Sequence, residues 1–274
     1  MLDPSVRAKL EAIRAALSSP ERLLIAYSGG VDSGLLLALA ADAEVLGTDR
    51  VLAVTVVSEL FPQRDLEHVQ RFLAQRKINH RVVQFPWQRY PALRQNRRDR
   101  CAVCKREMIV LLKALAADEG IETVAEGVTA SDLAESRPGL AVARAAGIWH
   151  PLLDAGITKP EARLIAQELG LPFWNKPSSP CLATRIAYDE PITPERLQMI
   201  NSAEELLKAH GFTQLRVRLH PGGLARIEVA AEELSAFYDL SVLREVTHHL
   251  KALGFAYVTL DLEGYRSGSM DLVL

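Results

Sequence analysis

Cysteine is scarce in this chain, with three in 274 residues, and no apolar run is long enough to cross a bilayer. An odd and small cysteine count, two of the three in Cys-x-x-Cys, suggests metal or redox chemistry rather than a disulfide framework. The start, Met1-Leu2-Asp3-Pro4, lacks the basic-then-apolar order of a secretory leader, so a cytoplasmic location is expected. Charge of one sign is also missing. Thirty-two basic against 34 acidic residues leave a net charge of −2, which argues against a nucleic-acid-coating surface. Internal repeats and low-complexity segments are absent. What remains, 49% hydrophobic and 24% charged, is a globular composition with length for one large domain or two ordinary ones.

The most informative stretch is Ser28-Gly29-Gly30-Val31-Asp32-Ser33. It joins an apolar run at 23–27 to another at 35–41, which reads as buried strand, glycine turn and helix. Gly29 and Gly30 let the backbone turn sharply and approach a ligand. The first N–H groups of the following helix point at the same place, where the helix dipole favours an anion. Ser28 and Ser33 add hydroxyls, and Asp32 suits a Mg²⁺-bound water. The turn lacks the lysine of the Gly-x-x-x-x-Gly-Lys-Ser/Thr loop, so it is a phosphate site of another kind. The bland alternative is a Gly-Gly turn with a serine cap.

Strand-like runs at 22–27, 51–57, 80–85 and 121–125 alternate with helical stretches near 33–46, 64–77 and 103–118, after a first helix at 4–17. That alternation predicts an α/β fold with a parallel sheet covered on both faces. Ligands of such sheets bind beyond the strands' carboxyl ends. Ser58 and the 126–132 loop, with Glu126 and Gly127, should stand there beside the 28–33 turn. A helix near 159–170 stops at Gly170-Leu171-Pro172. The texture changes beyond Thr193-Pro194. A helix at 194–209, strands at 214–220 and 224–230, a helix at 242–253 and a strand at 255–261 predict a smaller α+β domain. The expected division is 1–186 and 187–274, the tail contributing subunit contacts to a homo-oligomer.

Cys101-x-x-Cys104 opens a helix beside Arg100, Lys105 and Arg106, a setting that favours thiolates. With Cys181 it could ligate three irons of a [4Fe–4S] cluster, or bind zinc with His150 or His80, or comprise three unrelated thiols. The basic stretch 89–106 is either a solvated surface or an anion site. Arg216 and Arg218 alternate on a strand and share a face, where they suit a phosphate or pair with Glu228. Trp87, Trp149 and Trp174 read as core or cleft-lining aromatics.

Taken together, several stretches resemble the LarE family of ATP-dependent sulfur transferases, in the PP-loop ATP pyrophosphatase class. They are Ser28 to Ser33, Asp99-Arg100-Cys101-x-x-Cys104-Lys105-Arg106-Glu107, Ser131-Asp132-x5-Pro138-Gly139, Pro151-Leu152-Leu153, and the block from Lys176 through Cys181 to Ile186. The resemblance runs from about residue 10 to the end, and the block around Cys181 is its most discriminating part. It implies an adenine nucleotide alpha hydrolase-like domain that binds ATP and Mg²⁺. It also implies adenylation of a carboxylate of pyridinium-3,5-biscarboxylic acid mononucleotide, followed by thiolation for a nickel-pincer cofactor. ATP would contact Ser28, Gly29, Gly30, Asp32, Ser33, Ser58, Glu126 and Gly127. Asp32 and Cys181 would be catalytic, and Arg100, Lys105, Arg185, Arg216 and Arg218 would hold the mononucleotide.

Family members obtain sulfur in two ways. A lone cysteine at the Cys181 position gives up its own sulfur, or three cysteines hold a [4Fe–4S] cluster whose open iron carries sulfide. The presence of Cys101, Cys104 and Cys181 favours the cluster. The loop Gly127-Val128-Thr129-Ala130-Ser131-Asp132 departs from the family's common Gly-Thr-Asn-Ala-Asp-Asp, and Asn175 stands where Asp is frequent. Three rivals remain: a tRNA thiolase, an amide-forming ligase of the NAD- or GMP-synthetase kind, and a non-enzymatic ATP-binding regulator.

Overall fold

The computed structural model describes residues 2–62, 64–133, 138–177, 180–266 and 268–270. The chain divides into two compact units, one of Met1–Ser58, Gln63–Pro86 and Cys101–Ser179, the other of Glu59–Pro62, Trp87–Arg100 and Pro180–Leu274. In chain order the elements are α1 (Pro4–Leu17), β1 (Leu23–Ala26), α2 (Val31–Ala40), β2 (Val51–Val57), α3 (Arg64–Gln75), β3 (Asn79–Gln84), α4 (Pro91–Arg94), α5 (Arg100–Asp118), β4 (Thr123–Glu126), α6 (Pro138–Ala145), α7 (Pro151–Asp154), α8 (Lys159–Glu168), α9 (Pro194–Ala209), β5 (Leu215–His220), β6 (Leu224–Val229), α10 (Leu240–Ala252) and β7 (Tyr257–Leu260).

The first unit is an α/β layer fold. Its strands are parallel in the order β3-β2-β1-β4. The chain builds outward from β1 to β3, then crosses back to set β4 on the other side of β1. The β1/β4 seam is therefore the topological switch point, where ligands of open parallel sheets bind. Side chains of β1 alternate between faces. Leu23 and Ile25 join a core with α1, α2, α3 and α8 residues. Leu24 joins a second core with Ile109, Leu112 and Ala116 of α5 and Ala143 of α6. Burial on both faces explains why β1 and β2 read as continuous apolar runs, whereas the edge strand β3 is mostly exposed and mixed in polarity.

Helix α2 lies inside this packing, with every residue buried except Asp32. It stops at Ala40 rather than near 46. The Asp42 carboxylate accepts from the Glu44 N–H at 3.0 Å, and the Gly47 N–H turns back to the Ala40 carbonyl at 3.2 Å. These local bonds compete with further helix. Helix α8 starts as its sequence dictates. Thr158 and Glu161 form a reciprocal capping box, with Pro160 in the first turn.

The second unit is built on the sheet β5-β6-β7, antiparallel between β5 and β6 and parallel between β6 and β7. Two earlier segments belong to it. The Leu182 N–H donates to the Leu60 carbonyl at 2.8 Å, and the Asn96 amide donates to the carbonyls of Ile186 and Ala187 at 3.1 and 2.7 Å. Two buried ion pairs hold its interior. Arg185 meets Glu204 through Nε and Nη2 at 2.8 and 3.0 Å, and Glu204 also accepts from the Val217 N–H at 3.1 Å. Arg218 meets Glu228 at 3.0 and 2.8 Å, while Ser269 donates to the same carboxylate at 2.6 Å.

A buried pair of this kind is costly to break from one side, because the remaining charge loses its compensation. Glu204→Ala should destabilise the protein by about 3 kcal/mol or more, and replacing both partners, Arg185→Met with Glu204→Leu, by much less. Urea unfolding measures both. A loss below about 1 kcal/mol in the single variant would show that Arg185 finds water instead.

Candidate active site

The 28–33 turn adopts the phosphate-cradle geometry at the C-terminal end of β1. Gly29 has φ +76°, a conformation strained for any side chain. Gly30 is the N-cap of α2 and brings no side-chain cap, so the first-turn N–H groups stay open to an anion. The serines tie the turn together. Ser28 and Ser33 hydroxyls stand 3.1 Å apart, and the Gly30 N–H donates to Ser28 Oγ at 3.4 Å.

Across the β1/β4 seam, Gly127 packs directly on this turn. A Cβ on Gly127 would lie 2.4 Å from the Ser33 nitrogen and 2.6 Å from the Asp32 carbonyl carbon. Only glycine lets the two loops approach so closely. Ser58, at the end of β2, is buried at the same edge of the sheet. Thr55 hydroxyl donates to the Tyr27 carbonyl at 2.9 Å and meets His80 Nε2 at 2.9 Å, and burial lowers the His80 pKa. The Asp132 carboxylate closes the next turn, accepting from the Thr129 N–H at 2.7 Å and its hydroxyl at 3.0 Å.

The lysine missing from the turn is supplied from elsewhere in the chain. Lys159, the first residue of α8, pairs with Asp32 at 3.1 Å. Its own N–H donates to Ser131 Oγ at 2.9 Å. Lys176 reaches the Gly29 carbonyl at 3.0 Å. Two ammonium groups thus flank the glycine turn, and sequence reasoning assigned neither to it. A lysine at a proline-marked helix start, and a lysine opening the Cys181 block, were the only signals in the chain.

Glu126 ends β4 and is buried, accepting from His150 Nε2 at 2.9 Å and from Lys105 Nζ. Burial alone would raise its carboxyl pKa. The His150 hydrogen bond and the Lys105 ammonium outweigh that and hold it below the ordinary glutamate value. Lys105 follows Cys104 on α5, and its stem packs 3.3 Å from where a Gly139 Cβ would stand. The Cys101/Cys104 end of α5 is therefore fastened to the strand whose next residue, Gly127, touches the phosphate turn. His150, foreseen only as a zinc ligand, instead orients Glu126.

All three cysteines are free thiols; Cys101 is exposed, Cys104 and Cys181 half-buried. Cys101 and Cys104 lie in the first unit and Cys181 in the second. Thiols are the right donors for an iron–sulfur cluster, but among the described residues no group of three His, Cys, Asp or Glu side chains stands assembled for a metal ion. Cys181 caps a 3₁₀ turn at 182–185, and its carbonyl accepts from Thr184 Oγ1 at 2.7 Å and Arg185 Nη1 at 3.2 Å. Ser178 and Ser179, just before it, lie outside the described residues.

The cations expected to hold an anionic substrate divide by environment. Lys105 is engaged by Glu126, Arg185 by Glu204 and Arg218 by Glu228, so the Glu228 pairing is the one observed for Arg218. Arg216 lies over the Tyr265 ring at 4.9 Å, its pKa lowered by burial and by nearby Arg185. Arg100 stacks on Tyr188 at 4.1 Å, and its buried Nη1 finds no hydrogen-bond partner among the described residues. Trp87 is in the second unit's interior, donating to Glu59 at 2.9 Å, while Trp174 is 37% exposed.

Comparison with known proteins matches this geometry. The family model for the PP-loop domain covers residues 2–154. Over 263 residues the chain is 34% identical to the pyridinium-3,5-bisthiocarboxylic acid mononucleotide synthase of Lactiplantibacillus plantarum, spanning 96% of this chain and 94% of that one. This chain belongs to the LarE family of PP-loop proteins. An uncharacterized Synechocystis protein is 42% identical over 269 residues, 98% of this chain and 99% of its own. Similarity extends in part to one of the subunits of the glutamine-hydrolyzing GMP synthase of Thermoplasma acidophilum, 30% identical over 203 residues, 68% of this chain and 63% of that protein. In the first unit Lys159 and Lys176 both bond to the 28–33 turn, and Glu126 precedes Gly127, which packs on it. No helix among the described residues is long and apolar enough to cross a membrane.

The depressed Glu126 pKa has a pH signature. Its contribution to stability is fully present above the unfolded value of 4.5 and is lost as pH falls through the lower folded value. Glu126→Gln should cost roughly 1–3 kcal/mol near neutrality, and the gap from wild type should narrow progressively as pH falls below 4.5. Urea unfolding across that range checks it. A gap independent of pH would mean that Glu126 is not ionised in the folded protein.

Proposed function

We propose that this protein uses ATP to activate a carboxylate of pyridinium-3,5-biscarboxylic acid mononucleotide and replaces an oxygen of that group with sulfur. The observation that carries the reading is the near full-length match to the Lactiplantibacillus synthase, in a chain whose glycine turn sits at the switch point with two lysines beside it. A carboxylate is inert to sulfur nucleophiles because its oxygen is a poor leaving group. Transfer of AMP to that oxygen supplies a good one.

In this reading the 28–33 turn binds the phosphate chain. Bound Mg²⁺ would neutralise charge on the phosphates, and Asp32 is the residue to hold its water shell. Lys159 exchanges its Asp32 partner for phosphate oxygens, and Lys176 stands over Gly29 to meet the departing pyrophosphate. The substrate carboxylate oxygen attacks the α phosphorus, and the bond to the β-phosphate oxygen breaks. Sulfur then attacks the acyl carbon, and AMP leaves with the original carboxylate oxygen. The product is a thiocarboxylate.

Cys101, Cys104 and Cys181 are the candidates for sulfur delivery, as three ligands of a [4Fe–4S] cluster whose fourth iron could carry a transferable sulfide. The three free thiols and the anchoring of α5 to Glu126 support that assignment. Asp32→Ala should reduce substrate-dependent pyrophosphate release at least about 100-fold, with the unfolding midpoint preserved; unchanged release would remove the turn from the reaction. Each Cys→Ala variant should keep pyrophosphate release and lose both bound iron and thiolated product. Dehydroalanine at Cys181 after turnover, with full activity in Cys101→Ala/Cys104→Ala, would instead make the cysteine itself the sulfur source.

A further inference from the structure

The segment that leads to Cys181 is fastened at two points, both within the first unit. Phe173 is the first. A Cβ on Gly34 of α2 would lie 2.5 Å from its ring, so the ring rests directly on the helix, and it meets Phe72 edge-on with centroids 4.9 Å apart. Lys176 is the second, donating from Nζ to the Gly29 carbonyl of the phosphate turn at 3.0 Å. A turn closes between the two, with the Lys176 N–H on the Phe173 carbonyl at 3.0 Å. Arg163 of α8 donates to the Lys176 carbonyl at 2.9 Å.

The two anchors differ in kind. The aromatic contact is apolar and indifferent to a bound anion. The lysine contact sets a full positive charge on a neutral acceptor. Lys159, by contrast, is paired with a carboxylate, Asp32. A phosphate oxygen is a far better acceptor for an ammonium than a peptide carbonyl, because both partners are then charged. An anion is held by the N–H groups of such a turn and repelled by its carbonyl oxygens. An ammonium seated on the Gly29 carbonyl therefore has to leave it to meet phosphate. Lys176 is the anchor that phosphate releases, and Phe173 the one that stays.

Five residues of chain, at most about 18 Å, join Lys176 to Cys181. We infer that Lys176 is a positioning residue that makes the placement of the Cys181 segment depend on pyrophosphate. With pyrophosphate on the turn, Lys176 exchanges Gly29 for a phosphate oxygen and the segment swings about Phe173. When pyrophosphate departs, Lys176 returns to Gly29 and the segment docks again. Sulfur delivery then follows adenylation instead of competing with it. The inference rests on the ATP-driven sulfur transfer proposed above, with the 28–33 turn as its phosphate site.

Trp174, 37% exposed and two residues before Lys176, is a built-in reporter. Magnesium pyrophosphate added to the full chain should change tryptophan fluorescence saturably, and the change should vanish in Trp174→Phe. Amide exchange in the peptide from Trp174 to Arg185 should quicken at least about twofold under the same conditions. Lys176→Met should abolish both responses at a concentration where dialysis shows pyrophosphate still bound, and Lys176→Arg should restore them. If a variant fails to fold, the two wild-type responses still decide. Bound pyrophosphate with neither response, or responses that persist in Lys176→Met, would overturn the coupling and leave the proposed reaction standing. A chain that binds no pyrophosphate at all would overturn both.

Discussion

The contact of Gly127 with the backbone of Asp32 and Ser33 is the constraint on which the site depends. It exists because the chain returns from β3 to place β4 beside β1, so that two loops emerge side by side from one sheet edge. A side chain on Gly127 would push the loops apart. Glu126 would move with it, and so would the Lys105 end of α5. Phosphate turn, buried carboxylate and cysteine-bearing helix are thus held by one close approach, and the two cores behind β1 hold that approach in place.

Charge is distributed to match. The turn carries one carboxylate, Asp32, and the fold answers it with Lys159 from α8. A Walker-type loop keeps its lysine within the motif; here the lysine that pairs with the turn comes from the start of α8. In the second unit, positive charge mainly serves the interior. Arg185 and Arg218 are closed into pairs with Glu204 and Glu228, while Arg100 and Arg216 are stacked on tyrosines.

Much of the fold was legible because its signals are local. Helices α1 and α9 and strand β2 have the limits that periodicity and proline placement imply, 4–17, 194–209 and 51–57. Helices α6 and α7 were not foreseen. Each is short, and Pro-Gly at the start of α6 reads as a turn before it reads as a helix. The extension of α2 to 46 failed because leucine and alanine favour helix right up to Asp42, whose side chain turns the chain. The phosphate turn was legible from six residues. Its lysines were not, since the pairing of Lys176 with Gly29 spans 147 positions and depends on how α8 packs on α2. The two roles of His150, as a possible ligand or as a buried partner of Glu126, could be separated only by the side-chain geometry.

The central claim is that the substrate's carboxylate oxygen ends on AMP. Turnover of mononucleotide labelled with heavy oxygen in its carboxylates tests it most directly, with AMP and product read by mass spectrometry. The account predicts one heavy oxygen in each AMP released and one sulfur in place of that oxygen in the product. Unlabelled AMP, with the label retained entirely in the acid, would contradict it.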